Sequence, residues 1–403
     1  MARRCSTLCL PVGKDEYDAL VGDPARFRAW LGRCFRAWPE LFPRAFRHGY
    51  RLKDARTSSR AGLLLRRIRL KATGESFSVR PSFLLPYAVG TTDEVQGPLF
   101  LRAFGVPFWA LARVFGRDDM FWYRLEVSLG RNSIAGTTVR RAELPEHLLA
   151  DEHHRSRKGD KNYIATAVGA GCCLGAELAP TANAEDLAAA YGVFRQEARD
   201  VDPGYKPKTV SVDGWAPTHQ AWVALFPLVV LLRCFLHGWL NIRSRGKLSE
   251  AFGELSSRVW EAYRAPDRRC FAQRLRRLAE WARGQSLSAW LLEQVQKLCS
   301  RSREYAAAYS HPGGHRTSNM LDRVMRSMSR YFDQGQHLHG SRQAAGLHVR
   351  AWALLQNFRP WGKEAVKASE GWNSPAERLN GHRYHDDWLQ NRLTSASLGG
   401  YRR

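Results

Sequence analysis

The sequence predicts an α/β protein, with a mixed-sheet core interrupted by an all-helical insertion and preceded by a helical and β-hairpin region. Three observations carry that expectation. Between Leu148 and Leu178 the chain reads as three strands separated by short polar or glycine-containing turns, followed by an amphipathic helix. From Thr209 to His237 it reads as strand, helix, strand and then the start of a new helix. From Arg243 to about Tyr309 it turns helical, strongly basic and aromatic, and core-like amphipathic helices resume only after His311-Pro-Gly-Gly-His315.

In chain order, residues 1 to about 60 read as short helices and loops. Phe27, Trp30, Leu31, Cys34, Phe35 and Trp38 recur with helical period over Pro24 to Trp38. From Leu63 to Tyr87 the pattern is a basic hairpin that turns at Ala72 to Glu75 and carries Arg66, Arg67, Arg69, Lys71 and Arg80. The block PLFLRAFGVPFWALARVFGRDDMFWYRLEVSLG divides at Gly105-Val106-Pro107 and Gly116-Arg117-Asp118 into three short helices. That is the pattern of a helix-turn-helix unit, in which Arg124 and Arg131 are the candidate DNA contacts, or of a plain three-helix packing unit.

Next, Leu148-Leu149-Ala150-Asp151 is expected to end a first strand, Arg155 to Lys161 to form a basic turn, and Tyr163 to Val168 and Cys172 to Leu178 to form two more strands. A helix from about Ala184 to Arg199 follows. Val210 and Val212 alternate with polar neighbours until Gly214 breaks the strand just after Asp213. Pro217 suits a first helical turn and Pro227 ends that helix. Leu228 to Cys234 is nearly continuous in apolar residues, which predicts a strand buried on both faces at the centre of the sheet. The order β-β-β-α-β-α-β is that of a ribonuclease-H-like core. After the insertion, Thr317 or Ser318 opens a helix with Leu321, Val324, Met325, Met328 and Phe332 as its apolar stripe. The last forty residues read as a loosely packed tail.

Composition bounds the chemistry. Of 403 residues, 44% are hydrophobic and 11% aromatic, which excludes wholesale disorder. The net charge of +24, carried mostly by arginine, points to a polyanionic partner. The longest apolar run, Ala221 to Leu232, falls short of the ~20 residues of a membrane span, and no secretory signal opens the chain. The expectation is a cytoplasmic protein with no membrane contact. The eight cysteines are scattered without a paired framework, as in a reducing compartment. Cys5, Cys9 and Cys34 could hold a metal, though no fourth ligand is spaced with them. No nucleophile-elbow motif supports a serine hydrolase.

Three aspartates stand at comparable structural punctuation: Asp151, Asp213 and Asp322. Taken singly, Asp213 before a glycine is an ordinary turn residue and Asp151 a hairpin charge. Together they can meet over one edge of a sheet, where hard divalent cations prefer oxygen ligands. Two such cations activate the attacking oxygen and stabilise the leaving oxygen of a phosphodiester displacement. Cys234 and His237 read either as a hydrogen-bonded brace or as metal ligands. Arg155, Arg157, Lys158 and Lys161, and Arg316, Arg323, Arg326 and Arg330 around Asp322, are the candidate DNA contacts of the core.

DEHHR at 151 to 155, VDGW at 212 to 215, CFLH at 234 to 237 and TSNMLDRVMRSMSR at 317 to 330 together resemble the bacterial insertion-sequence transposases of the Mutator-like DDE superfamily, recombinases with a ribonuclease-H-like core. The resemblance covers roughly residues 95 to 360. It implies that Asp151, Asp213 and Asp322 are the catalytic acids holding two Mg²⁺, or Mn²⁺ in their place, with Cys234 and His237 as the Cys-x-x-His signature. The spacings are 213 − 151 = 62 and 322 − 213 = 109, the longer one leaving room for the family's helical insertion. The third acid of that family is usually glutamate, so Asp333 and Glu304 stand as alternatives to Asp322. The implied activity is cleavage at transposon ends and strand transfer into target double-stranded DNA, by a homo-oligomer acting at the bacterial nucleoid. A nuclease or resolvase on the same fold, and a non-catalytic DNA-binding derivative, are the competing readings. The corresponding division is 1–88, 89–141, a core at 142–244 and 313–362, the insertion at 245–312, and a tail at 363–403.

Overall fold

The computed structural model describes residues 6–59, 62–335 and 338–401. The N-terminal unit comprises β1 (Thr7–Leu10), α1 (Lys14–Val21), α2 (Pro24–Ala37), β2 (Tyr50–Thr57), β3 (Leu64–Leu70) and β4 (Ser76–Pro81). Its sheet has the order β1-β4-β3-β2, with β1 parallel to β4 and the other pairs antiparallel. Asp23 caps α2 by accepting from the amides of Ala25 and Arg26, and Pro24 takes a first-turn position where its missing amide costs nothing. The α2 stripe Phe27, Trp30, Leu31 and Cys34 is buried in this unit's own core. The expected hairpin is β3–β4. Strand β2 lay outside the strand expectation because its outward face is charged and exposed along most of its length.

Helices α3 (Thr92–Arg102), α4 (Phe108–Phe115), α5 (Asp119–Leu129) and α6 (Ile134–Thr138) follow. The first three fall where the glycine turns divide the sequence, and Asp118 caps α5 by accepting from the Phe121 amide at 2.6 Å. Trp122, Leu125 and Leu129 of α5 are buried in one core shared with the central sheet, so these helices form a layer of the central body.

The central sheet contains β5 (His147–Arg157), β6 (Asp160–Gly169), β7 (Cys172–Ala179), β8 (Thr209–Val212) and β9 (Val230–Arg233), in the order β7-β6-β5-β8-β9. β5, β6 and β7 are antiparallel neighbours, whereas β8 and β9 run parallel to β5. α7 (Ala184–Val201) and α8 (Ala216–Leu225) cover one face, where Leu187, Tyr191, Phe194 and Trp222 meet Leu148, Ala150, Val210 and Val212.

Three expectations are corrected here. Asp151 lies inside β5 and does not end it, because the polar stretch after it keeps pairing with β6 as far as Arg157 opposite Asp160. The basic turn therefore shrinks to Lys158-Gly159, both at positive φ as a tight hairpin turn requires. β9 is an edge strand and not a central one. Leu231 packs against the α7–α8 core and Leu232 lies under the loop at Gly314, while Leu228 before the strand is 80% exposed.

That insertion consists of α9 (Phe235–Gly246), α10 (Phe252–Tyr263), α11 (Arg268–Arg283), α12 (Ala289–Ser300) and α13 (Ser302–Ala306), with a separate core built from Phe235, Trp239, Val259, Phe271, Leu275 and Val295 among others. It starts at the Cys-x-x-His motif, about ten residues before the expected boundary. The chain returns through α14 (Asn319–Asp333) and α15 (Arg342–Phe358), which cover the second face of the sheet.

α16 (Lys363–Lys367), α17 (Pro375–Asn380) and α18 (Trp388–Ser395) complete the chain. The expected loose tail is exposed along α16 but buried throughout from Trp388 to Gly400. Asn380 Oδ1 accepts from the amides of Arg140, Arg141 and Ala142, and its Nδ2 donates to the carbonyls of Thr138 and Ala376. Ser397 Oγ accepts from the Cys9 amide and donates to the Leu41 carbonyl, while Ser82 donates to Gln390. Polar side chains that read as solvent-facing are thus buried as hydrogen-bonding links between the N-terminal unit and the central body. Among the described residues, no helix is long and apolar enough to cross a membrane.

Candidate carboxylate site

The strand register brings two of the three aspartates together. His147, Leu148 and Leu149 of β5 pair with Thr209, Val210 and Ser211 of β8, an offset of 209 − 147 = 62 residues. Asp151 and Asp213 are also 62 apart, so they occupy the same rung of this parallel pair, just past the end of β8. Side chains alternate across a strand. Leu148 and Ala150 face α7 and α8, which places Leu149 and Asp151 on the opposite face, and Ser211 and Asp213 beside them. Neighbouring strands lie ~4.8 Å apart, so the two carboxylates project side by side.

The third acid arrives on a strap that crosses the same face. His147 is hydrogen bonded to Thr209 at 2.9 Å, and a Cβ on Gly313 would come within 2.6 Å of the His147 ring. One on Gly314 would come within 2.6 Å of Leu232. Only glycines let the loop lie this close to the sheet. Ser211 then donates to the His315 carbonyl, the Phe235 amide donates to the Arg316 carbonyl, and α14 begins. Ser318 donates to Asp322 Oδ2 at 3.0 Å and fixes the acid in the first turn of the helix.

Cys234 and His237 brace this junction. Burial pushes the Cys234 thiol up, but hydrogen bonds with His237 and Ser318 outweigh it and the net direction is down. The His237 imidazole is raised to about 9, first by its hydrogen bond with Cys234 and then by the Cys234, Asp151 and Asp213 charges, against the effect of burial. The pair lies between the start of α9 and the start of α14, within electrostatic reach of Asp151 and Asp213.

Burial, then repulsion from Asp213 and Asp322, raises Asp151 to about 6, although the Glu152 amide donates to its Oδ1 at 2.8 Å. Asp213 Oδ1 accepts from the Trp215 amide at 2.8 Å. Gly214, at φ +94°, makes the turn that permits this, and a Cβ there would run into the Arg233 guanidinium. Among the described residues, the second oxygen of each of the three carboxylates has no hydrogen-bond partner. No three His, Cys, Asp or Glu side chains among the described residues close on a common point as a formed metal cage. The donor set is nonetheless of the type that suits a hard cation: three carboxylates, with Asp213 and Asp322 both within electrostatic reach of Asp151 and raising it further above the ordinary carboxylate range.

Of the alternative third acids, Glu304 is paired with Arg233 at 2.7 Å. Asp333 is paired with Arg155 at 2.6 Å, at the far end of α14 and roughly 16 Å along the helix from Asp322. Glu152 is a further acid beside the site that sequence reasoning passed over. It points to the α7–α8 face, accepts from Tyr191 and Thr218 hydroxyls at 2.7 and 2.8 Å, and is raised to about 7 chiefly by burial. Its position next to Asp151 in DEHHR was the available signal.

The basic residues divide into two groups. Arg323, Arg326 and Arg330 form an exposed stripe along α14, and Lys158 and Lys161 are exposed at the β5–β6 tip, with Arg157 half-buried. Arg155 donates to Asp333 and to the Ser329 carbonyl, tying that tip to the end of α14. Arg124 is exposed on α5, and Arg131 lies over the Tyr87 ring at 4.7 Å. Arg316 is enclosed by Tyr263, Tyr309 and Phe271 and donates to the Tyr263 carbonyl and the Tyr309 hydroxyl, so its guanidinium holds the insertion to the strap. Cys9 packs in the central core and Cys34 in the N-terminal one, where burial pushes its thiol up to about 12; Cys5 lies outside the described residues. No family model matches this chain, and no curated protein is significantly similar to it.

Proposed function

We propose that this protein is a DNA transposase whose reacting centre is formed by Asp151, Asp213 and Asp322. The observation that carries the reading is the shared 62-residue offset of the β5–β8 register and of the first two aspartates, with Asp322, in the first turn of α14 after the Gly313–Gly314 strap, within electrostatic reach of Asp151. The order β7-β6-β5-β8-β9, with its antiparallel and parallel halves, supports a ribonuclease-H-like core. Asp151, Asp213 and Asp322 would hold two Mg²⁺, which Mn²⁺ would replace. Once bound, the ions supply Lewis acidity at the attacking and leaving oxygens of a phosphodiester.

The chain's own groups do the remaining work. The α14 stripe and the β5–β6 tip, joined through Arg155 and Asp333, offer positive charge to a DNA backbone that approaches the carboxylates. His237 moderates the local negative charge while the DNA is absent, and Ser318 holds Asp322 in its rotamer. Transposition pairs two DNA ends, which calls for a homo-oligomer, and the substrate places the protein at the bacterial nucleoid in the cytoplasm.

The test uses purified protein, Mg²⁺ and labelled duplexes carrying the inverted repeats that flank the coding sequence. Wild type should nick at the repeat boundary to leave 3′-hydroxyls and join them to a second duplex, and Asp213→Asn should do neither. Cleavage that survives Asp213→Asn removes the catalytic assignment. Cutting without joining identifies a nuclease, and binding without cutting identifies a non-catalytic DNA-binding protein.

A further inference from the structure

A second charged site lies away from the carboxylates, between the N-terminal sheet and α18. Arg392 is fully buried, at 0% exposure. Its Nη2 donates to the Leu129 carbonyl at 2.6 Å and to Asn132 Oδ1 at 3.1 Å, while its Nε and Nη1 are buried and meet no partner among the described residues. Arg80 on β4 also has Nε and Nη1 buried with no partner among the described residues. Both line one cavity of about 210 Å³. Its walls also include Thr7 and Asn132, and among the described residues none of its lining is acidic.

Two other buried arginines of this protein are treated differently. Arg102 is paired with Glu126, and Arg350 with Glu177 and Glu197. Burying a guanidinium without a carboxylate is costly, and two facing one cavity add mutual repulsion. Burial, then the Arg80 charge, lowers Arg392 to about 9, a cost that a bound anion would reverse. A planar guanidinium fork matches tetrahedral phosphate oxygens, and the volume accommodates one such group. At the mouth, Tyr87 is half-exposed and carries the Arg131 guanidinium over its ring, extending the positive charge outward.

We propose that this cavity is a phosphate-binding pocket in which Arg80 and Arg392 grip one phosphate group. It is separate from the carboxylate site and does not depend on the reading given to that site. The phosphate is either free or the terminal group of a DNA strand entering past Tyr87 and Arg131.

The test is thermal unfolding and calorimetric titration of the full chain with inorganic phosphate, against chloride at equal ionic strength. Wild type should show a saturable rise in Tm specific to phosphate, and Arg80→Gln should weaken the Kd at least about tenfold. Arg392→Met should melt higher than wild type in phosphate-free buffer and lose the phosphate response. If that variant fails to fold, the half-buried Arg80→Gln decides. An equal response to phosphate and chloride in wild type, or equal phosphate binding by wild type and Arg80→Gln, overturns the proposal. In a second arm, a duplex with a 5′-phosphate should displace inorganic phosphate better than its unphosphorylated counterpart if the ligand is a strand end; equal displacement by the two assigns the pocket to the free anion.

Discussion

Replacing Asp151 with asparagine should make the metal-free protein more stable while abolishing phosphodiester chemistry. Burial and the charges of Asp213 and Asp322 raise the Asp151 carboxyl from the ordinary 3.8 to about 6. Between these values the folded protein binds more protons than the unfolded chain, so stability falls as pH rises through the window and the full cost is present above about pH 6. The rise corresponds to about 3 kcal/mol at pH 7, and the carboxyl is buried enough that little is lost to solvent screening. Asparagine keeps the acceptor that the Glu152 amide uses and removes the charge. Thermal unfolding of Asp151→Asn in chelator-treated buffer at pH 7.5 should show a Tm higher by roughly 6–12 °C, taking ~2–4 °C per kcal/mol for a cooperative unit of this size. At pH 4 the gain should shrink toward zero. A variant that is equally stable or less stable than wild type at pH 7.5, or a gain that does not vary with pH, would refute the claim that burial and the neighbouring carboxylates make the Asp151 charge costly.

Glu126→Gln should destabilise by about 3–5 kcal/mol in urea titrations, because it leaves Arg102 as an uncompensated buried charge. Burial alone would raise Glu126, but the Arg102 and His348 charges more than offset it and hold the carboxyl below 4.5, so its stabilisation should be present at neutral pH and be lost on acidification below that value. Gly314→Ala should cost ~1–3 kcal/mol, since its Cβ meets Leu232 at 2.6 Å, and should reduce DNA cleavage by displacing the strap that delivers Asp322. Asn380→Ala removes the single acceptor of three backbone amides and two donations, and should cost at least ~2 kcal/mol while making residues 381–401 the first site of proteolytic cutting.

The parts of the site legible from sequence are those with local signals. Asp213 stood out because alternation stops at a glycine, and the structure uses that glycine at positive φ beside Arg233. Asp322 followed from the helix stripe and the Ser318 start. Asp151 was harder, since DEHHRSR alternates poorly as a strand; its pairing with β6 is a non-local property that the sequence of β5 does not display. The 62-residue spacing was legible as a number, but its meaning as a strand register required the β5–β8 pairing. β9 looked central because an edge strand covered on both faces, here by the α7–α8 core and the loop at Gly314, selects the same apolar residues as a central strand. The tail looked loose because Asn, Gln, Ser and Arg usually face water, and here they satisfy buried backbone groups instead. The strap role of His311 to His315 had no local signal beyond its two glycines.

If Asp151, Asp213 and Asp322 share divalent cations, manganese binding followed by electron paramagnetic resonance should show two Mn²⁺ per wild-type chain in the presence of duplex DNA, displaced by excess Mg²⁺. At least one should be lost in each of Asp151→Asn, Asp213→Asn and Asp322→Asn. Equal Mn²⁺ binding by wild type and all three variants would contradict a shared cation site.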